Sequence, residues 1–276
     1  MTMKTYRYPS VLTIAGFDGS GGAGIQADIK AISAIGCYAT TVLTALPVQN
    51  TRGVRFIHSI PDYVVREQLE TILDDIFPDA IKIGMVHSVE LVDTIADTLS
   101  RYPSVPVVFD PVMVATSGDK LIEDRTIAAI TERLLPLATV LTPNMDEAAI
   151  LAGIPVRHVA DMQQAGEQIR RSGCRSVLLK GGHLTGSRLT SLYFDETGQV
   201  HAYHFERFET NNTHGSGCTL SSAIAAYLAL GESLLSAIQK GQTYVHRAIG
   251  AGADVQTGKG NGPLNHFFDP QPLRKK

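Results

Sequence analysis

Val11-Leu-Thr-Ile-Ala-Gly-Phe-Asp-Gly-Ser-Gly-Gly-Ala-Gly24 decides how the rest of this chain is read. A short β-prone run, Val11–Ala15, stops at a glycine-rich loop, and a helical pattern opens at Ile25. Strand, tight loop and helix in that order are the first half of a βαβ unit. The same alternation recurs. Strands are expected at Cys37–Thr44, Ala80–Gly84, Val105–Asp110, Thr139–Thr142 and Ser176–Lys180. Helices are expected at Tyr63–Ile76, with Val65, Leu69, Ile72, Leu73 and Ile76 on one face, and at Glu90–Leu99, with Leu91, Ile95 and Leu99. A third opens at Asp146. Near-continuous apolar strands between helices predict a mostly parallel sheet covered on both faces. Leu189–Phe194 and Gln199–Phe205, joined through Asp195-Glu-Thr-Gly198, predict an antiparallel hairpin.

The glycine loop has the spacing G-x-G-x-x-G at Gly19, Gly21 and Gly24. A dinucleotide site also needs an acidic residue about 20 positions later to hold the ribose. Ile29 to Pro61 contains no Asp or Glu, so a nicotinamide site is excluded. The loop reads instead as a close approach over a small substrate, with Asp28 nearby. No P-loop motif is present.

A second glycine turn lies in Thr210-Asn-Asn-Thr-His-Gly-Ser-Gly-Cys-Thr-Leu-Ser-Ser222. Leu220, Ile224, Tyr227 and Leu228 follow at helical spacing, with Gly231 as the stop. A glycine turn at a helix N-terminus is an anion site, because free N–H groups and the helix dipole both favour negative charge. Cys218 stands at that positive end, where a thiol pKa is expected below its reference of about 8.5. The alternative is an ordinary loop-to-helix junction with a core cysteine.

Ligands of open parallel sheets bind beyond the carboxyl ends of the strands. In this chain those ends carry Gly16, Met85, Asp110, Asn144 and Lys180. Asp110 closes a buried-looking strand and should be paired or near a metal. Lys180 before Gly181-Gly182 suits a phosphate contact, and a plain Asp110–Lys180 salt bridge is the other reading. Asn144 and Glu147 share a face and could hold a hydrated Mg²⁺, or could serve only as helix-start residues. Gln49 offers a donor and an acceptor that fit an aminopyrimidine edge; a surface turn is the alternative.

Composition narrows the classes. The chain has 276 residues, 44% hydrophobic and 18% charged, and is read as one domain over 1–276. Net charge −3 gives no footprint for nucleic acid. No apolar run reaches membrane-spanning length, and the start carries no signal-peptide pattern. Three cysteines without a paired motif predict reduced thiols and a cytoplasmic address.

Taken in order, several segments resemble the hydroxymethylpyrimidine/phosphomethylpyrimidine kinases of thiamine biosynthesis. They are Thr13-Ile-Ala-Gly16 with Ser20–Asp28, Gln49-Asn-Thr51, Lys82-Ile-Gly-Met85, Asp110-Pro-Val-Met113, and Thr142-Pro-Asn144 with Glu147. Leu179-Lys-Gly-Gly-His183, Asn212–Cys218 and Gly258–His266 complete the set. That family belongs to the ribokinase-like superfamily. The resemblance implies a three-layer α/β/α fold, a homodimer, and ATP with Mg²⁺. It implies that Gln49 reads the pyrimidine edge and that Gly16, Asp28, Met85 and Val112 line the substrate pocket. Cys218 would be the base. Gly215, Ser216, Gly217 and Lys180 would hold phosphates. Asp110, Asn144 and Glu147 would serve ATP and Mg²⁺. Phe17, Gly19, Ala39-Thr-Thr41 and Pro47 depart from the family's usual surroundings, which bears on substrate choice. Three alternatives stay open: pyridoxal/pyridoxine kinase, a Cys218–His214 thiol hydrolase, and a non-catalytic nucleotide- or pyrimidine-binding module.

Overall fold

The computed structural model describes residues 5–113 and 122–276. β1 (Ser10–Ala15) is buried along its whole length and is the sheet's pivot. It pairs in parallel with β2 (Tyr38–Leu43) on one side and β5 (Ala80–Ile83) on the other. From β5 the sheet continues in parallel through β6 (Val107–Phe109), β7 (Val140–Leu141) and β8 (Val177–Leu179). The predicted hairpin is there as β9 (Arg188–Phe194) and β10 (Val200–Glu206), which close that edge antiparallel.

The chain leaves β1 in one direction to β2 and then returns past it to β5. Right-handed crossovers therefore send the connecting helices to opposite faces. α1 (Gly24–Ala34), α7 (Ser216–Ala229) and α8 (Leu234–Ala251) cover one face. α2 (Asp62–Asp75), α3 (Val89–Leu99), α4 (Asp124–Ala129), α5 (Met145–Ala152) and α6 (Val159–Arg171) cover the other. Strand side chains alternate between the two cores: Leu12 and Ile14 of β1 join one, Val11 the other. This is the three-layer α/β/α arrangement of the ribokinase-like fold.

Two features depart from the sequence reading. Val48–Thr51, one alternative for which was a surface turn, belongs mostly to a separate two-stranded antiparallel sheet, β3 (Ala45–Asn50) with β4 (Gly53–Ser59). The terminal strand residues Asp110, Thr142 and Lys180 lie just past their strands. That places their side chains at the sheet's carboxyl edge instead of within the ladder.

Candidate active site

The reversal of strand order beside β1 leaves a crevice beyond the carboxyl ends of β1 and β5. A cavity of about 610 Å³ fills it. Gly16, Gln49, Met85, Asp110, Val112, Asn144, Glu147, Lys180 and Gly215 to Cys218 all border this cavity. Residues drawn from seven separate stretches of chain thus converge. Pro47 and Gln49 reach it from the β3–β4 hairpin, which overhangs the mouth from outside the main sheet. At the far end α8 and the β9–β10 hairpin add Gln242, Val245, His246, Ile249, Leu189 and Phe205. That end is mostly apolar and suits a flat ring.

The anion loop is built by backbone geometry. Gly215 is the residue before α7 and has φ +80°, a left-handed conformation. A Cβ there would lie 1.8 Å from the Gly22 carbonyl oxygen, so the two glycine loops cross in contact. Gly217 and Cys218 occupy the first helical turn, where N–H groups lack an intrahelical acceptor. A Cβ on Gly217 would meet Lys180 Nζ at 3.2 Å and Asp110 Oδ2 at 3.4 Å. The lysine and the carboxylate therefore sit directly against the loop.

Lys180 Nζ donates to Asp110 Oδ1 at 2.9 Å, and Thr142 Oγ1 donates to the same oxygen at 3.2 Å. The salt bridge weighed from sequence is present, inside the cavity. Burial works against the Lys180 charge, but Asp110 and Glu147 outweigh it and raise its pKa. Asn144 and Glu147 form a reciprocal capping box: Glu147 N–H donates to Asn144 Oδ1 at 2.9 Å, and Asn144 N–H donates to Glu147 Oε2 at 2.8 Å. The Asn144 oxygen is engaged by its helix, so its free amide hydrogens suit a phosphate oxygen better than a cation. Burial pushes the Glu147 carboxyl up to about 7; Lys180 opposes this and Asp110 adds to it. A carboxylate pair carrying excess negative charge, with oxygen donors only, fits a hydrated Mg²⁺ that keeps several waters. Among the described residues no group of three or more His, Cys, Asp or Glu is poised to hold a metal by itself.

Two expectations are corrected. Asp28 is fully buried and does not reach the cavity. It accepts from Thr13 Oγ1 at 2.5 Å, Ser222 Oγ at 2.7 Å and Lys82 Nζ at 2.9 Å. A carboxylate with a buried lysine so close belongs to an internal ion pair, not to a substrate wall. The Cys218 thiol is not lowered by its helix end. Burial pushes it up to about 11, although Lys82 pulls the other way.

His214 was weighed as a partner for Cys218. Its Nε2 instead stands 2.9 Å from Asp18 Oδ2. Asp18 is fully buried and also accepts the backbone N–H of Ser20, Gly22 and Ala23. Burial alone would raise its pKa; His214, Ser20 and the loop amides reverse that and hold the carboxyl well below its usual range. The Gly258–His266 segment ties the β3–β4 turn to the loop before α7. Asn261 N–H donates to Thr51 O at 3.0 Å, and His214 N–H donates to Gly262 O at 3.1 Å. No periodicity marks these long-range ties. Only the crowding of glycine and small polar residues hinted at them.

Comparison with known proteins extends the geometry. The phosphomethylpyrimidine kinase family model matches residues 18–265. A hydroxymethylpyrimidine/phosphomethylpyrimidine kinase of Rhizobium meliloti (strain 1021) is 47% identical over 257 residues, 93% of this chain and 96% of that protein. The crystal structure of phosphomethylpyrimidine kinase from Clostridium difficile 630 superposes with TM-score 0.77 at 40% identity, covering 87% of this chain and 99% of that one. The ADP complex of Bacillus subtilis pyridoxal kinase superposes with TM-score 0.87 at 34% identity, covering 94% and 98%. The matched span takes in both glycine loops, the Lys180–Asp110 pair and the C-terminal brace, and on that match this chain belongs to the phosphomethylpyrimidine kinase family.

Proposed function

We propose that this protein transfers the γ-phosphoryl group of ATP to 4-amino-5-hydroxymethyl-2-methylpyrimidine and then to its monophosphate. The observation that carries the reading is a single cavity in which the α7 anion loop abuts Lys180 and Asp110 while Gln49 faces in from the hairpin. Family membership supplies the reaction class.

In this reading the substrate hydroxymethyl oxygen attacks the γ-phosphorus in line, and the bond from that phosphorus to the ADP oxygen breaks. Phosphoryl transfer passes through a loose state, so positioning and charge neutralisation do most of the work. The N–H groups of Gly217 and Cys218 meet the developing charge, with Gly215 and Ser216 shaping the turn. Lys180, oriented by Asp110, holds the β/γ-phosphates, and the Asn144 amide donates to them. Gly16, Met85 and Val112 pack the ring. Cys218 accepts the hydroxyl proton. Burial raises this thiol's pKa, so Cys218 gives its own proton to solvent before the transfer and takes the hydroxyl proton as the thiolate. Asp110 and Glu147 would hold Mg²⁺, which when bound neutralises phosphate charge. The reading takes the whole chain as one kinase domain, and with it go a homodimer and a cytoplasmic address. The free thiols Cys37, Cys174 and Cys218 accord with that address.

The likeness to Bacillus subtilis pyridoxal kinase favours a second reading, transfer to the hydroxymethyl group of pyridoxal. Consumption of Mg·ATP is measured with hydroxymethylpyrimidine, its monophosphate and pyridoxal side by side. Turnover of both pyrimidines with pyridoxal poor is the expected result. Preference for pyridoxal moves the enzyme to the second reading. No turnover on any acceptor overturns both.

A further inference from the structure

Beneath the cavity floor lies a charged cluster with no place in the phosphate or ring contacts. Lys82 of β5 is among the largest fully buried side chains. Its Nζ donates to both Asp28 oxygens, at 3.1 and 2.9 Å. Asp28 of α1 is tied in turn to Thr13 of β1 and Ser222 of α7. Four elements thus meet at one carboxylate. Ser222 is four residues beyond Cys218, and residues four apart lie on one helix face. The Lys82–Asp28 pair therefore packs against the face of α7 that carries Cys218. The lysine extends toward the strand's carboxyl end, where a Cβ on Gly84 would meet its Nζ at 2.7 Å.

We propose that Lys82 is a positioning residue whose ammonium, clamped by Asp28 against the Cys218 face of α7, holds the negative charge of the Cys218 thiolate. Neutral polar residues would tie the four elements together at less desolvation cost. A fixed buried cation has a use where a negative charge forms transiently beside it. The proposal rests on Cys218 as the proton acceptor. In that step the substrate O–H gives its proton to the thiolate sulfur as the oxygen–phosphorus bond forms. The resulting thiol loses that proton to solvent before the next turnover. The charged groups whose fields reach Cys218 are Lys82 on β5, Asp28 on α1, Asp110 after β6 and Lys180 after β8. The first favours the thiolate, and the two carboxylates oppose it.

The test is alkylation of the full-length, ligand-free protein by iodoacetamide at pH 8.5, followed on the peptide containing Cys218. Cys37 and Cys174 are buried, and their labelling reports unfolding in the same sample. Lys82→Met is expected to slow Cys218 labelling about tenfold, the change that one pKa unit produces. Asp28→Asn with Lys82→Met leaves no lone buried charge and serves if the single variant exposes Cys37. It is expected to label more slowly than wild type, though less so than the single variant. Ser222→Ala removes a bond without removing charge and should label within twofold of wild type. Wild-type labelling in Lys82→Met, or in the double variant where the single one unfolds, overturns the proposal even if turnover is lost. Near-normal turnover of Cys218→Ser would remove the base from the proposed function. Slowed labelling in Lys82→Met would then still establish the charge coupling.

Discussion

His214 Nε2 lies 2.9 Å from the buried Asp18 carboxylate, so one ion-pair-like contact joins two glycine loops 196 residues apart. Asp18 also gathers the Ser20, Gly22 and Ala23 amides of its own loop. The contact ties the two loops together beside the cavity, where Gly215 packs against the Gly22 carbonyl.

His214→Ala should cost about 1–3 kcal/mol, the usual penalty for stripping a partner from a buried acceptor. The pH dependence has a definite sign. Asp18 titrates below its ordinary value in the folded protein, so its contribution is complete above the unfolded pKa of about 3.9 and fades as pH falls. Wild-type stability to urea should therefore fall as pH drops from about 5 toward about 2, and in His214→Ala the fall should begin at higher pH, because Asp18 has lost one of the partners that lower it. The same onset in both proteins would mean that His214 acts by packing alone.

Gly215→Ala asks for a side chain at φ +80° and places a Cβ 1.8 Å from the Gly22 oxygen. Strain and overpacking together should cost about 2 kcal/mol or more. Opening the crossing also misplaces the α7 amides, and kcat should fall at least ~100-fold, the scale of losing one oxyanion donor. Thermal melts and steady-state kinetics on one preparation check both.

Glu147 behaves oppositely to Asp18. Burial raises it to about 7, so its folded pKa exceeds its unfolded one. Such a group favours folding below about pH 4.3 and loses that contribution as pH rises through about 7. With EDTA present, stability should decline between pH 5 and 8 in the wild type and decline less in Glu147→Gln. Mg²⁺ should raise the wild-type melting temperature more at pH 8 than at pH 5.5. No such difference would argue against Glu147 as a cation site.

Much of this was legible because apolar strands and glycine loops are local signals. Val11–Ala15 is apolar except for Thr13, since helices cover both faces of β1, and that near-continuous run marked a buried strand. The β3–β4 hairpin was missed because it packs outside the sheet. Exposed Val48, Val54 and Phe56 break the alternation of a half-buried ribbon. Asp110, Asn144 and Lys180, which border the cavity, were legible at strand ends, where polar side chains interrupt apolar runs. Asp28 failed for a definite reason: a lysine 54 residues away neutralises it, and sequence spacing does not report charge pairing across a fold. The expected lowering of the Cys218 thiol failed similarly. The helix end was visible, but the burial that outweighs it was not.

Lys180→Met should lower kcat about 10²–10³-fold, the range for removing one preorganised charge from a transition state. ATP affinity should change far less, because the apolar far end of the cavity and the α7 amides remain. Lys180→Arg should not restore the rate, since a planar fork does not replace a point charge packed against Gly217. Steady-state kinetics with a separate nucleotide-binding titration separates the two effects. A large loss of ATP binding with kcat preserved would place Lys180 in ground-state binding only.

Gln49 separates the two acceptor readings. It sits half-buried on β3, at the register shift opposite Val54, and borders the cavity. In the proposed complex its amide meets the amino group and ring nitrogen of the pyrimidine. Truncation would leave those groups unpaired in a closed pocket, at about 1–3 kcal/mol. Gln49→Ala should accordingly lower kcat/KM for hydroxymethylpyrimidine about 10–100-fold. Pyridoxal lacks that amino edge, so its turnover should change by less than about threefold on the same reasoning. Gln49→Met keeps the volume and removes the amide, and it should match Gln49→Ala on the pyrimidine. Recovery in Gln49→Met, or an equal fall for both acceptors, would mean that Gln49 supports the hairpin and that ring recognition lies elsewhere in the cavity.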